Sequence, residues 1–276
     1  MTEKPVINEE FQAFFPDIKI TAPPGSGAVA KKSPQPDKNV LQAKVVPAAA
    51  PLAGMKEGIR LFNDKQWEQA LKELLHVDAG SFTNDERSDL AYYLGLCCTK
   101  LERFDDAVLY LEQVVTASED LLRIYQCRMT LAYIFVKTKR ARMAEFELKR
   151  LRNCGFESVP LYNTLGYAAY SQKRFRNAIE YYESALELDK DNATAMNCMG
   201  YILIDTGLDL KKGLRYCRKA VEKNPQNAAY LDSLGWALHK CGDSSEARKL
   251  LRKALDTAPK EKEIREHLRI VSGEAS

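Results

Sequence analysis

Thiol and imidazole groups give this sequence its widest chemical repertoire, but their spacing argues against metal or redox chemistry. Seven cysteines, an odd number, and three histidines occur among 276 residues. No Cys-x-x-Cys pair is present, and His76, His239 and His267 lie far apart, whereas zinc ligands usually come in closely spaced pairs. The cysteines are scattered along the chain at Cys97, Cys98, Cys127, Cys154, Cys198, Cys217 and Cys241. We therefore predict no metal site and no disulfide framework, and we interpret the thiols as small core residues in a reducing compartment.

Common catalytic motifs are missing from the sequence. Neither Gly-x-Ser-x-Gly nor His-Glu-x-x-His occurs. The stretch Gly25-Ser26-Gly27 lies in proline-rich sequence without the strand that a phosphate-binding loop requires. Carboxylate pairs such as Asp105 and Asp106 fall at expected helix starts, where they favour the helix dipole. We predict that the chain is not an enzyme and uses no cofactor.

The first 53 residues differ in composition from the rest of the chain. They hold eight of the eleven prolines, and we predict that residues 1–53 form a disordered arm rich in Pro, Ala and Lys. Residues 1–10 carry four charges, and no run of about 18 apolar residues occurs, so we expect neither a signal peptide nor a membrane span. The sequence thus predicts a cytoplasmic protein.

Basic residues cluster in the middle of the chain, although the net charge is only +3. Phosphate binding is one interpretation of this cluster, and solvated faces of an exposed helix pair are another. The second is favoured because acidic segments adjoin the cluster, so we do not expect a nucleic-acid partner. The cluster consists of Lys137, Lys139, Arg140, Arg142, Lys149, Arg150 and Arg152.

A small residue recurs six times with a period of a two-helix repeat. The separations are 37, 37, 34, 34 and 35 residues. The recurring positions are Gly58, Gly95, Ala132, Gly166, Gly200 and Gly235. A second small residue follows twelve positions later in five units, and one position later still, at Gly213, in the fifth. Each unit therefore reads as two amphipathic helices that pack closely where the small residues lie.

This pattern resembles the tetratricopeptide repeat family, whose signature is a large residue, Leu-Gly, an aromatic or large residue, Ala, a large residue and Pro. The fourth unit fits it with Tyr162, Leu165, Gly166, Ala178, Tyr182 and Ala185. The resemblance implies an all-α fold, a right-handed superhelical solenoid of about six repeats over residues 54–259. Beyond Pro259, an apolar stripe of Ile264, Leu268 and Val271 predicts a capping helix within residues 260–276.

The resemblance also implies a concave groove lined by the first helix of each repeat. We expect twelve residues on this face to bind a partner: Met55, Ile59, Tyr92, Leu96, Met129, Tyr133, Asn163, Tyr167, Asn197, Tyr201, Asp232 and Trp236. The early members are apolar and suit an amphipathic helix, whereas Asn beside Tyr suits the backbone and side chains of an extended peptide. The alternative is that the aromatic residues only fill space between adjacent helices.

The groove lacks one known specialisation of the family it resembles. One subclass clamps the carboxylate of chaperone tails with lysine and asparagine, but Met55 and Ile59 stand where the first unit would need them. Recognition of chaperone tails by that route is therefore disfavoured.

A short aromatic motif precedes the repeats. Phe11, Phe14 and Phe15 lie among acidic residues and resemble a linear motif that docks on a partner or folds back into the chain's own groove. The sequence as a whole predicts a non-catalytic scaffold or adaptor that binds a peptide or helix of a partner protein. The alternatives are a chaperone or assembly factor for a secretion or envelope machinery, and a structural or regulatory subunit of a larger complex.

Overall fold

The chain folds into helical hairpins, in which two consecutive helices are joined by a short turn. The computed structural model describes residues 49–273. Within these residues every regular element is helical, as the repeat predicts. The thirteen α-helices are α1 Ala49–Asn63, α2 Trp67–Leu75, α3 Asn84–Lys100, α4 Phe104–Ala117, α5 Leu121–Lys137, α6 Ala141–Asn153, α7 Val159–Ser171, α8 Phe175–Leu188, α9 Ala193–Asp205, α10 Leu210–Lys223, α11 Ala228–Lys240, α12 Ser244–Thr257 and α13 Lys262–Ser272. Helices α1 to α12 form six hairpins, and α13 follows the last one.

Close helix contact explains the recurring glycines. A β-carbon at Gly166 would lie 2.6 Å from the ring of Tyr182 on α8, and one at Gly200 would lie 2.9 Å from the backbone oxygen of Gly213 on α10. Such distances leave no room for a side chain, so the first and second helices meet at these points. The predicted register of the repeats is confirmed there, including the displaced small residue of the fifth unit.

The turns inside the hairpins share one backbone conformation. Five of them have three residues between the helices, and their middle residues take positive φ angles: Lys65, Glu102, Lys139, Lys173 and Gly242. The fifth hairpin instead has the four residues 206–209, with Gly207 at φ 69°. The extra residue predicted near Leu208 therefore lies in this turn.

Side-chain caps mark the starts of the first helices. Thr83 accepts from the backbone N–H of Glu86, whose carboxylate returns the bond at the start of α3. Asp120, Asn192 and Asn227 cap α5, α9 and α11 by accepting hydrogen bonds from backbone N–H groups in the first turn of each helix. Most second helices need no such cap because they begin directly from the tight turn.

The described residues divide into two compact units, the first ending at Phe156 and the second beginning at Glu157. In the first unit, the Tyr92 hydroxyl donates to Gln126 Oε1 at 3.0 Å, which joins α3 to α5. Arg128 on α5 pairs with Glu147 on α6, and both side chains are largely buried. The first unit is thus held by polar links as well as by its apolar core.

The second unit contains α7 to α13. Its core includes Cys217, Ala237, Leu251 and Val271, so the last helix belongs to it. Ile264 of α13 packs with Leu231 and Ala254 in a smaller adjoining cluster. The apolar stripe predicted for a capping helix is therefore buried against α11 and α12.

The predicted N-terminal arm can be compared with the structure only at its end, residues 49–53. Helix α1 begins at Ala49, so residues 49–53 are helical although their composition placed them in the arm. Alanine and leucine favour this extension, and Pro51 is tolerated because it lies in the first turn. The motif of Phe11, Phe14 and Phe15 lies outside the described residues.

The cysteines are free thiols, but only part of them are core residues. Cys97, Cys98, Cys127 and Cys217 are buried as predicted, and Cys198 is partly buried. Cys154 and Cys241 are exposed, because each follows the last residue of a helix and caps it at the surface. The prediction of core thiols is wrong for these two.

Candidate functional site

The structure narrows the twelve predicted groove residues to a smaller accessible set. Those at least partly accessible are Ile59, Tyr133, Asn163, Tyr167 and Tyr201. Those buried are Met55, Tyr92, Leu96, Met129, Asn197, Asp232 and Trp236. Of the six side chains one turn before the small residue, all except Asn163 are buried. The partner-binding role of the set remains a prediction.

In the first unit, the buried members contribute to packing. Tyr92 is covered by the guanidinium of Arg123, whose Cζ lies 4.7 Å from the ring centroid, and Arg123 pairs with Asp89. Met129 and Leu96 have no exposed surface. Tyr92, Leu96 and Met129 therefore lie in the core of the first unit, whereas Ile59 and Tyr133 stay partly accessible.

In the second unit, a pocket opens among the predicted residues. It has a volume of about 250 Å³ and lies between α7, α9, α11 and the start of α13. We call it the tyrosine pocket, and its lining consists of Tyr167, Tyr170, Tyr182, Asn197, Cys198, Tyr201, Ile202, Ala229, Asp232, Ser233 and Glu263. Four of the predicted groove residues are thus brought together.

Asn163 on α7 and Asn197 on α9, which occupy the same position in successive repeats, each have a side-chain oxygen without a hydrogen-bond partner among the described residues. Asn163 Nδ2 donates to Asn192 Oδ1 at 3.2 Å, but Asn163 Oδ1 is buried without a partner among the described residues. Asn197, one repeat later and 7% exposed, likewise has a buried Oδ1 without a described partner. A buried acceptor that lacks a hydrogen bond costs about 1 to 3 kcal/mol. Asn197 lines the tyrosine pocket, whereas Asn163 lies outside its lining.

Tyrosines supply the walls of the pocket. The rings of Tyr170 and Tyr201 meet edge to face with centroids 6.2 Å apart, and Tyr167 is 46% exposed. The Tyr201 hydroxyl donates to Glu263 Oε1 at 3.3 Å. Burial raises the pKa of Tyr201 well above its ordinary value, and the nearby Tyr170 and Glu263 act in the same direction. The hydroxyl therefore stays protonated and remains a donor.

Helix α13 covers the end of the predicted face. His267 Nδ1 lies 2.9 Å from Asp232 Oδ1, and its ring stacks on Trp236 with centroids 4.4 Å apart. Asp232 and Trp236 thus have an intramolecular partner where the sequence predicted an open groove. Sequence reasoning missed His267 and Glu263, since the apolar stripe of α13 gave no sign that its polar side chains contact α11 and α9.

The basic cluster of the third hairpin is partly neutralised within the first unit. Arg140 Nη2 lies 2.9 Å from Asp105 Oδ1, and Lys149 Nζ lies 2.7 Å from Glu145 Oε1. The Arg150 guanidinium lies 5.5 Å from the ring centroid of Phe146. These contacts favour the interpretation of the cluster as a solvated helix face.

Two features are absent from residues 49–273, and both bear on the kind of site present. No group of three or more His, Cys, Asp or Glu residues in this part of the chain is arranged to hold a metal ion. Within the same residues, no helix has the length and apolar character needed to cross a bilayer.

Comparison with known proteins identifies the repeats. Residues 159–192 and 216–249 each match a family model described as tetratricopeptide repeat. The first match runs from the start of α7 to the residue before α9, which is one hairpin with its connection.

Two curated relatives also match. The chain is 36% identical over 80 residues to the TPR repeat-containing protein PA4667 of Pseudomonas aeruginosa. This match covers 29% of this chain and 13% of that protein. It is 24% identical over 208 residues to the human mitochondrial import receptor subunit TOM70, and this match covers 72% of this chain and 33% of the receptor subunit. The chain therefore spans a third or less of the length of these relatives.

A solved structure supports the fold. A chain of the APC/C hetero-tetramer Cut9–Hcn1 superposes with a TM-score of 0.63 and 12% identity, and the match covers 80% of this chain and 42% of that one. At such low identity the likeness concerns the helical-repeat fold alone.

Proposed function

We propose, from the premise that the chain belongs to the tetratricopeptide repeat family, that it is a non-catalytic adaptor that holds an extended segment of another protein in the tyrosine pocket. Proteins built from these repeats are generally interaction scaffolds. The finer proposal is that the first helices α7 and α9 provide the binding face within residues 157–273.

The two unpartnered asparagine oxygens carry this proposal. Asn163 and Asn197 occupy equivalent positions one repeat apart, and the Oδ1 atom of each lacks a hydrogen-bond donor among the described residues. Backbone N–H groups of an extended peptide are donors that recur along one direction, and two of them would satisfy both oxygens. Binding would thereby recover a cost that the free chain bears.

Tyrosine side chains complement these amides. Tyr167 and Tyr201 offer partly accessible rings that lose little conformational entropy when they bind, and such rings are enriched at protein interfaces. An extended peptide alternates its side chains, so one side chain can enter the pocket while the backbone passes over the amides.

Affinity purification from a native lysate tests the proposal. We would compare the wild-type chain with a Tyr167→Ala, Asn197→Ala double variant and with Leu188→Ala. Leu188 is exposed at the end of the second helix α8 and lies outside the pocket, so it serves as a matched surface control. We expect a stoichiometric protein to remain with the wild type and with Leu188→Ala and to be lost from the double variant. An identical set of proteins on all three would refute the site.

A further inference from the structure

The tyrosine pocket is acidic, and this bears on which side chain it accepts. Its lining contains two charged residues, Asp232 and Glu263, and both are carboxylates. An adjoining pocket of about 490 Å³ shares Asp232 and Glu263 and adds Glu261. Lysine and arginine are absent from the linings of both pockets. The site therefore favours a positively charged ligand by charge complementarity.

We propose that the segment bound at this site inserts a lysine or arginine side chain into the tyrosine pocket, with its charged group directed to Glu263. This inference rests on the proposed function, since it names the chemistry of the segment held there. The partner is thus a protein with a basic residue in an extended, solvent-accessible stretch.

The tyrosine rings support a cation in particular. Tyr167, Tyr170 and Tyr201 border one cavity, and a ring face attracts an ammonium or guanidinium group within about 6 Å of its centroid. The methylene stem of lysine or arginine can lie along the rings while its charged end reaches solvent-exposed Glu263. Asp205 also acts electrostatically on Tyr170 and Tyr201, which adds negative potential beside the rings.

Several of the chain's own basic side chains near the site already have contacts outside the pocket or with Asp232. His267 lies against Asp232, so this carboxylate already has a hydrogen-bond partner. Lys240 lies 4.7 Å from the ring centroid of Trp236, outside the pocket lining. Arg265 on α13 donates to the backbone oxygen of Pro259. Glu263 accepts a hydrogen bond from the Tyr201 hydroxyl and is exposed to solvent, so it is the carboxylate best placed to meet an incoming cation.

A second observation, independent of charge, points to a ligand at the same place. Asn197 lines the pocket, is more than nine-tenths buried, and its Oδ1 atom has no partner among residues 49–273. A backbone N–H next to the inserted side chain would supply that bond. Backbone and side-chain recognition would then coincide at one residue of the bound segment.

Four heptapeptide libraries would test the inference. Their central residue is fixed as Lys, Arg, Leu or Glu, and the flanking positions are randomised among uncharged residues. Each library is passed over the immobilised full chain, and the retained peptide is quantified. Glu263→Gln removes the charge but keeps a hydrogen-bond acceptor, whereas Glu266→Gln makes the same change on α13 outside the pocket lining and is the control.

We expect about tenfold higher retention of the Lys and Arg libraries than of the Leu and Glu libraries. This preference should fall at least about threefold in Glu263→Gln, persist in Glu266→Gln and weaken as salt is raised. Equal or better retention of the Leu or Glu library would overturn the inference while leaving peptide binding intact. If no library is retained, both the inference and the proposed function fail.

Discussion

His267 Nδ1 lies within 2.9 and 3.1 Å of the two carboxylate oxygens of Asp232, and this buried contact joins α13 to α11. The histidine ring also stacks on Trp236, one turn along α11 from Asp232. Because Asp232 and Glu263 both line the tyrosine pocket, the contact fixes the wall of the proposed binding site as well as the end of the fold. The last helix is therefore part of the proposed site.

Removal of the imidazole should destabilise the second unit. In His267→Ala, the Asp232 carboxylate stays buried without its partner, and the stacking on Trp236 is lost. We expect the free energy of unfolding to fall by about 1 to 3 kcal/mol. Urea denaturation followed by circular dichroism would measure it. Glu266→Ala on the exposed side of the same helix is the control, and an equal effect of the two variants would argue against a specific role for the contact.

Asn197→Ala should separate stability from binding. The variant removes a buried oxygen that has no described partner and introduces the best helix former, so we expect the free energy of unfolding to stay constant or rise by up to about 1 kcal/mol. Retention of the Lys library should nevertheless drop. A loss of stability without a loss of peptide retention would show that Asn197 acts in packing, contrary to the proposal.

The sequence predicts the hairpins because their packing depends on local spacing. The small residues at Gly166 and Gly200 are needed where two helices touch, and that need recurs with each repeat. The caps at Thr83 and Asn192 are likewise local features, set by residues three apart along the chain. Such short-range rules place most helix starts and turns.

The candidate site is less predictable because it depends on contacts between distant elements. Trp236 occupies the same repeat position as the exposed Tyr167, yet the ring of His267 covers it. Tyr92 lies about one turn earlier in its own repeat, and Arg123 covers it. The side-chain orientation of α13 cannot be derived from its apolar stripe alone. The accessible part of the predicted groove therefore emerges only when neighbouring repeats and the last helix are assembled.

The hairpin turns contain backbone strain that substitution can relieve. Lys173 has φ 58° and Gly242 has φ 94° at equivalent turn positions. A left-handed conformation costs about 1 to 2 kcal/mol for a residue with a β-carbon, and glycine does not have this cost. The greater entropy of glycine in the unfolded chain offsets part of the gain. We expect Lys173→Gly to stabilise by up to about 1 kcal/mol and Gly242→Ala to destabilise by about 1 kcal/mol. Thermal unfolding of both variants would check this, and a shared sign would contradict the assignment of strain.

The buried ion pair of the first unit should be more costly to break than to replace. Glu147→Ala leaves the Arg128 guanidinium buried without its carboxylate, and we expect a loss of about 3 to 5 kcal/mol. The double variant Arg128→Met, Glu147→Leu replaces both charges with apolar groups of similar size and should recover most of that loss. Urea denaturation of Arg128→Met, of Glu147→Leu and of the double variant measures the coupling. A double variant as unstable as the sum of the single variants would show that the two residues act independently.

Alkaline pH should unfold the chain through its buried thiols. Burial raises the pKa of Cys217 to about 12 and that of Cys98 to about 11, from an ordinary value of about 9. As pH rises above about 9, the unfolded chain releases these protons while the folded chain keeps them, so ionisation favours the unfolded state. The contribution of the protonated thiols to the free energy of unfolding is complete below pH 9 and is lost as the pH rises through the pKa values of the folded state. For Cys217, the free energy of unfolding falls by at most about 1.4 kcal/mol per pH unit. Urea unfolding at a series of pH values would show this slope, Cys217→Ala should reduce it, and Cys241→Ser at the surface should leave it unchanged.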